Sequence, residues 1–231
     1  IVIIFWFPTM VLMYLLTVPF DTGRYVIGWW FRRLGVAMAK VNPYWRFRRT
    51  GLRVADPRRP YVVVSNHESF ADILLISHLP FEMKWLSKVE LLKIPLIGWM
   101  MRMAGDIPVK RGFGPSAVEA MERCRTSLRN RVSVIFFPEG TRSVDGNMLP
   151  FKDGAFRLAI EAQVPILPLA VAGTRTALPK HDWRFNPARA VVEVLPPIET
   201  AGLTLADLPQ LKERVRTTIQ VARNALRARL A

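Results

Sequence analysis

The stretch YVVVSNHESFAD, residues 61–72, decides the fold: an apolar, β-favouring run leads straight into a polar turn, and the turn into a helical pattern. Such a run reads as a buried strand of an α/β sheet, and the ends of such strands are where active sites collect. Here they carry His67 and Asp72, five residues apart. On one continuous helix that spacing points the two about 140° away from each other. They meet only if His67 stands in the turn just ahead of the helix, with Asp72 about one turn inside it. Asp72 then accepts a bond from the imidazole Nδ1, which fixes the tautomer, leaves Nε2 free as a general base and stabilises the imidazolium. The bland alternative for the pattern taken alone is a histidine capping a helix beside an unrelated aspartate.

The same strand-to-loop grammar recurs in VSVIFFPEGTRS, residues 132–143, where Glu139, Gly140, Thr141 and Arg142 follow the apolar run and Pro138. Gly140 lets backbone approach a ligand closely, and Arg142 offers a planar fork suited to phosphate. An isolated arginine after a turn is more often simply solvated. Around these two segments, β-rich runs at 47–54, 83–86, 107–109, 166–172 and 190–195 alternate with helical patterns at 71–78, 115–130, 154–163 and 208–230. That rhythm predicts an α/β fold with a mixed, mostly parallel sheet flanked by helices. In the last helix Leu208, Leu211, Val215, Ile219, Ala222, Leu226 and Leu230 recur at helical spacing, with Arg216, Arg223 and Arg227 expected on a basic outer face.

The remaining composition bears on partners. Of 231 residues, 51% are apolar, and mean hydropathy is +0.17, more than a soluble core of this size needs. Thirty-three basic against 18 acidic residues give +15, a sign that favours nucleic acid, anionic lipid or a phosphorylated substrate. The single cysteine, Cys124, excludes an intramolecular disulfide and any multi-cysteine metal site.

The apolar excess sits at the start. Residues 1–20 carry no charge and have about the length of a membrane-crossing helix. Pro8 and Pro19 leave two readings open, a span or a broken hairpin that enters and leaves one leaflet. A cleaved signal peptide is not expected, for want of a basic leading region and a small-residue cleavage site. Residues 25–41, with Arg24 just ahead of them, mix Trp29, Trp30 and Phe31 with Arg32, Arg33 and Lys40, the pattern of an interfacial helix, or else of a helix packed on the core. The expected organisation is therefore membrane-binding helices in 1–44 and a catalytic domain in 45–231.

Together NHESFAD and FPEGTRS resemble the 1-acylglycerol-3-phosphate acyltransferases of the glycerophospholipid acyltransferase superfamily. GDIPVKR at 105–111, VPILPLAV at 164–171 and WLSKVELLKIPLIG at 85–98 match further blocks of that family in the right order. The resemblance implies an acyl thioester donor, from coenzyme A or acyl carrier protein, and lysophosphatidic acid as acceptor, with another lysolipid or glycerol 3-phosphate as the alternative acceptors, and no cofactor and no metal. It implies His67 as general base, Asp72 as its orienting partner and Arg142 as phosphate ligand, with Glu139, Gly140 and Thr141 shaping the pocket. Lys88 and Arg111 are further candidates for phosphate or donor contacts. Pro108 departs from the family form, where a bulky apolar residue is common, and this puts the role of Arg111 in doubt. The implied location is the cytoplasmic face of the inner or plasma membrane.

Rival readings are a basic nucleic-acid-binding module, which lacks a recognition motif and is at odds with the apolar start, and a silent membrane scaffold, against which the intact His67 and Asp72 argue. Cys124 shares a helical face with Val118, Met121 and Leu128, which reads as core rather than nucleophile. Ser69 suits a helix start. His78 and His181 have no partner in sequence. The apolar stretch 91–103 either lines an acyl channel, dips into the bilayer or is core.

Overall fold

The computed structural model describes residues 1–110, 112, 114–143, 146–179 and 184–230. In chain order they form α1 (Val2–Thr17), α2 (Tyr25–Val41), β1 (Trp45–Gly51), β2 (Val62–Ser65), α3 (Ala71–Ile76), β3 (Met83–Lys88) and a 3-10 turn (Val89–Lys93). There follow α4 (Ile97–Ala104), β4 (Ile107–Val109), α5 (Gly114–Arg129), β5 (Ser133–Phe136), α6 (Gly154–Ala162), β6 (Ile166–Ala172), β7 (Ala188–Val194), a 3-10 turn (Leu205–Asp207) and α7 (Leu208–Leu230).

One seven-stranded sheet runs in the order β1-β7-β6-β2-β5-β3-β4. All its ladders are parallel except β6 with β7, so the expected mixed, mostly parallel sheet is present. β2 lies between β5 and β6, and all four of its residues are buried, as a strand covered on both faces requires. Val62 and Val64 face a core closed by Cys124 and Leu128 of α5, Phe156 of α6 and Val215 and Ile219 of α7. Val63 points to the opposite core, where Leu75 and Ile76 of α3 meet Ile135 and Leu169. Cys124 is fully buried, and burial pushes its thiol up to about 12, which suits a core side chain and not a nucleophile. Strand ends differ from the sequence reading where pairing decides them. The run expected at 47–54 starts at Trp45 and stops at Gly51, because its ladder is the parallel register with Ala188–Val194.

α1, α2 and α4 form a separate apolar cluster at one flank, with Met10, Ile27, Leu34 and Met100 at its centre. The stretch 91–103 is thus divided. Met100 and Met101 are core, whereas Ile94 and Trp99 are exposed, and Trp99 lies against Phe7 of α1. α2 packs one face on the body of the molecule. Its Gly28 sits so close to Glu82 and Lys84 that a Cβ would run into both side chains, and its Arg32 is buried in ion pairs with Glu82 and Asp106. No helix among the described residues is long and apolar enough to cross a membrane. α1 nonetheless keeps an outward face of Ile4, Phe5, Leu12, Leu15 and Leu16, each more than half exposed, while Trp6, Met10 and Met13 on its other side pack inward.

Candidate active site

β2, β3, β4, β5 and β6 run parallel in neighbouring pairs, so their carboxyl ends share one edge of the sheet. At that edge Asn66 follows β2. Its Nδ2 donates to the Val171 carbonyl (2.9 Å) and its Oδ1 accepts the Val171 N–H (2.8 Å). The side chain imitates a ladder rung, so the backbone is released into the turn that carries His67.

His67 lies ahead of α3, and its Nδ1 is 2.8 Å from Asp72 Oδ2. That oxygen also accepts the N–H groups of Glu68 (2.7 Å) and Ser69 (3.0 Å), while the Thr174 hydroxyl donates to Oδ1. Asp72 is completely buried, and these donors meet both of its oxygens, as a buried polar group requires. The imidazole is stacked on Phe137, with ring centroids 4.1 Å apart, and its side chain keeps 14% exposure. A partly exposed ring oriented by a buried carboxylate is the arrangement of a general base.

The loop after β5 closes on the same turn. Glu139 Oε1 accepts the His67 N–H (2.8 Å), its Oε2 accepts the Leu149 N–H (2.8 Å), and the Ser143 N–H donates to the His67 carbonyl (3.2 Å). Burial pushes the Glu139 carboxyl upward, against the pull of the two backbone donors. Glu139 is thus a brace between loops, buried to 5% exposure, rather than an open ligand. Gly140 has φ +74°, and a Cβ there would stand 2.9 Å from the Lys152 ammonium, so Lys152 lies directly over the turn. Thr141 is exposed and Arg142 half-buried, and neither makes a hydrogen bond or ion pair among the described residues.

Lys88 does not join this group. It ends β3, two strands from β2 and so about 10 Å away laterally at the usual strand spacing, and is exposed. Arg111 and His181 lie outside the described residues. Ser69 donates to the Leu178 carbonyl and accepts the Ala71 N–H, which agrees with its reading as a helix-start residue. His78 bonds through Nδ1 to the Leu74 carbonyl at the end of α3, and burial lowers its pKa.

Sequence reasoning missed Thr174, Phe137, Glu68 and Arg223. Thr174 follows the 164–171 block at a strand end, the same signal that drew attention to His67. Arg223 corrects an expectation, since it is not on an outer face of α7 but buried, with 3% exposure, bonded to Glu68. Its position four residues after Ile219 and three before Leu226 lies inside the apolar stripe, and this was the available signal.

A family model described as Acyltransferase matches residues 46–172, from β1 to the end of β6 and more than half of the chain. The chain belongs to the acyltransferase family. Its likeness within that family is to the 1-acyl-sn-glycerol-3-phosphate acyltransferases. The alpha enzyme of that name from Mus musculus is 41% identical over 197 residues, covering 84% of this chain and 69% of the relative. The alpha enzyme from Homo sapiens is 44% identical over 162 residues, covering 69% of this chain, and the match spans 57% of the human protein's length. The crystal structure of the 1-acyl-sn-glycerophosphate (LPA) acyltransferase PlsC from Thermotoga maritima superposes with a TM-score of 0.74 at 27% identity, covering 87% of this chain and 81% of that one. In this acyltransferase the matched region ends before Thr174 and before all of α7, although both reach the His67 turn.

Proposed function

We propose that this acyltransferase moves a fatty acyl group from a thioester, of coenzyme A or acyl carrier protein, to the free sn-2 hydroxyl of lysophosphatidic acid, giving phosphatidic acid. The observation that carries the reading is the 2.8 Å bond between His67 Nδ1 and a fully buried Asp72, with the imidazole partly exposed and its Nε2 making no hydrogen bond among the described residues. His67 Nε2 takes the hydroxyl proton as the oxygen attacks the thioester carbonyl. The C–O bond forms, the C–S bond breaks, and the imidazolium returns the proton to the departing thiolate. The acceptor hydroxyl is itself the nucleophile, so no acyl-enzyme is needed. Asp72 holds the tautomer and the charge.

Arg142 is the phosphate ligand in this reading, a half-buried guanidinium with its donors uncommitted among the described residues. Arg142→Ala is expected to raise KM for lysophosphatidate by about 10–100-fold, the equivalent of charge-assisted hydrogen bonds of roughly 1.5–3 kcal/mol, with a smaller change in kcat. Unaltered acceptor dependence in that variant would remove Arg142 from the site.

The outward face of α1, continued by Trp99, is the surface that meets the membrane and so brings the site to its lipid acceptor. Replacing Leu12 and Leu16 by serine is expected to weaken sedimentation with phosphatidylglycerol and phosphatidylethanolamine vesicles by about tenfold for each side chain. Equal sedimentation of the variant and the parent would exclude this face. The whole reading is tested by acyl transfer from acyl-CoA, and separately from acyl carrier protein, to a panel of lysolipids by detergent-purified protein. Transfer confined to acceptors without phosphate would refute it.

A further inference from the structure

The buried Arg223 is not accounted for by stability. An ion pair this deep is on balance no more stabilising than apolar side chains of similar volume, and position 223 lies between Ile219 and Leu226 in a stripe where methionine would pack. What the guanidinium adds is direction, since its rigid fork bonds two acceptors at fixed spacing. Its Nε donates to Glu68 Oε1 at 2.8 Å, and its Nη2 donates to the Gly146 carbonyl. These two acceptors belong to different loops. Glu68 follows His67, and its N–H is one of the donors to Asp72 Oδ2. Gly146 lies in the loop that carries Arg142, and its N–H donates to the Ser143 hydroxyl (2.9 Å), while the Ser143 N–H donates to the His67 carbonyl. Arg227 adds a second bond to Glu68 Oε1 at 2.8 Å from the solvent side.

We propose that Arg223 is a positioning residue, which through Glu68 and Gly146 sets the register between the base-bearing turn and the acceptor loop. The proposal rests on the acyl-transfer reading above. α7 thereby supplies part of the site's geometry from outside the matched region 46–172. Lysophosphatidate would be gripped by its phosphate on one loop while its hydroxyl must meet His67 on the other. A shift of the order of 1 Å between the loops spoils attack without loosening the grip, so the effect falls on kcat and spares KM.

The test is the double variant Glu68→Gln with Arg223→Met, which removes the pair without leaving a buried charge alone, together with Arg223→Lys, which keeps the charge but not the fork. Both are assayed well below their melting temperatures, where a purely structural loss would vanish. The expected result is a fall in kcat of about 10–100-fold in the double variant and a smaller fall in Arg223→Lys, with KM for lysophosphatidate unchanged. Parental kcat in the folded double variant overturns the proposal, as does a loss confined to KM. If the double variant does not fold, Arg223→Lys alone decides by the same criteria. If the parent protein itself transfers no acyl group, the functional reading fails separately. The register is then read from the His67 imidazole proton shared with Asp72, whose NMR resonance must move in Arg223→Lys, and an unmoved resonance overturns the proposal.

Discussion

His67→Ala is expected to lower kcat about 10²–10⁴-fold, the usual worth of a general base, while leaving KM for the acceptor unchanged. The variant should fold, for reasons written in the hydrogen bonds. The His67 N–H to Glu139 and the His67 carbonyl to Ser143 are backbone contacts that alanine keeps. Asp72, deprived of the imidazole, still accepts from Glu68, Ser69 and Thr174, so no buried charge is stranded. Loss of rate without loss of melting temperature is therefore the signature. Initial rates over a range of lysophosphatidate concentrations, with thermal unfolding alongside, measure both. Near-parental turnover would mean that the hydroxyl loses its proton to another group, and the mechanism would fall.

Lys84→Met is expected to carry the largest loss of stability, about 3–5 kcal/mol, the usual effect of removing one partner from a buried ion pair. Lys84 is 1% exposed and its ammonium bonds Glu82 Oε1 at 3.0 Å and the carbonyls of Arg24 and Ala104 at 2.7 Å each. These carbonyls lie at the start of α2 and the end of α4, so one side chain ties both helices to the sheet. Methionine fills the space but satisfies none of the three acceptors, and Glu82, fully buried, is left to the 3.4 Å pair with Arg32. Calorimetry in detergent should show a melting temperature lower by roughly 10 °C. Adding Glu82→Gln should recover part of the loss, because the stranded charge is then gone, giving a coupling of about 0.5–3 kcal/mol in the double-mutant cycle. Simple additivity, or a melting temperature unaltered by Lys84→Met, would show that the network does not hold the α1–α2–α4 flank.

The parts of the site legible in the sequence are those made by neighbours along the chain. His67 and Asp72 belong to one turn and one helix start, and a spacing of five is enough to say that they meet only if the histidine precedes the helix. Glu139 to Arg142 follow a strand as one loop, so their sharing an edge with His67 follows once both strands are parallel. Lys88 entered only through the resemblance, and since periodicity gives no strand order, its distance of two strands from β2 could not be read in advance. Likewise the helical period of α2 was plain, but whether it lies at the interface or in the core was not. The buried partners Glu82 and Asp106, one on the way into β3 and the other just before β4, show only the tertiary contact that holds its inner face.

By itself, then, the sequence determined an alternating α/β chain, an apolar start, two strand-end loops with the residue types of a general base and a phosphate site, and a resemblance resting on the order of those loops. All of these are local or sequential properties, written in composition, period and spacing. The tertiary structure alone decided that β1 pairs with β7, that Glu139 braces His67 and that Thr174 completes the donors around Asp72. It also turned an arginine read as solvent-facing into a buried link between two loops. Each of these joins residues separated by 72 or more positions, and a buried polar group records only that it needs a partner, not which distant segment the packing will bring to it.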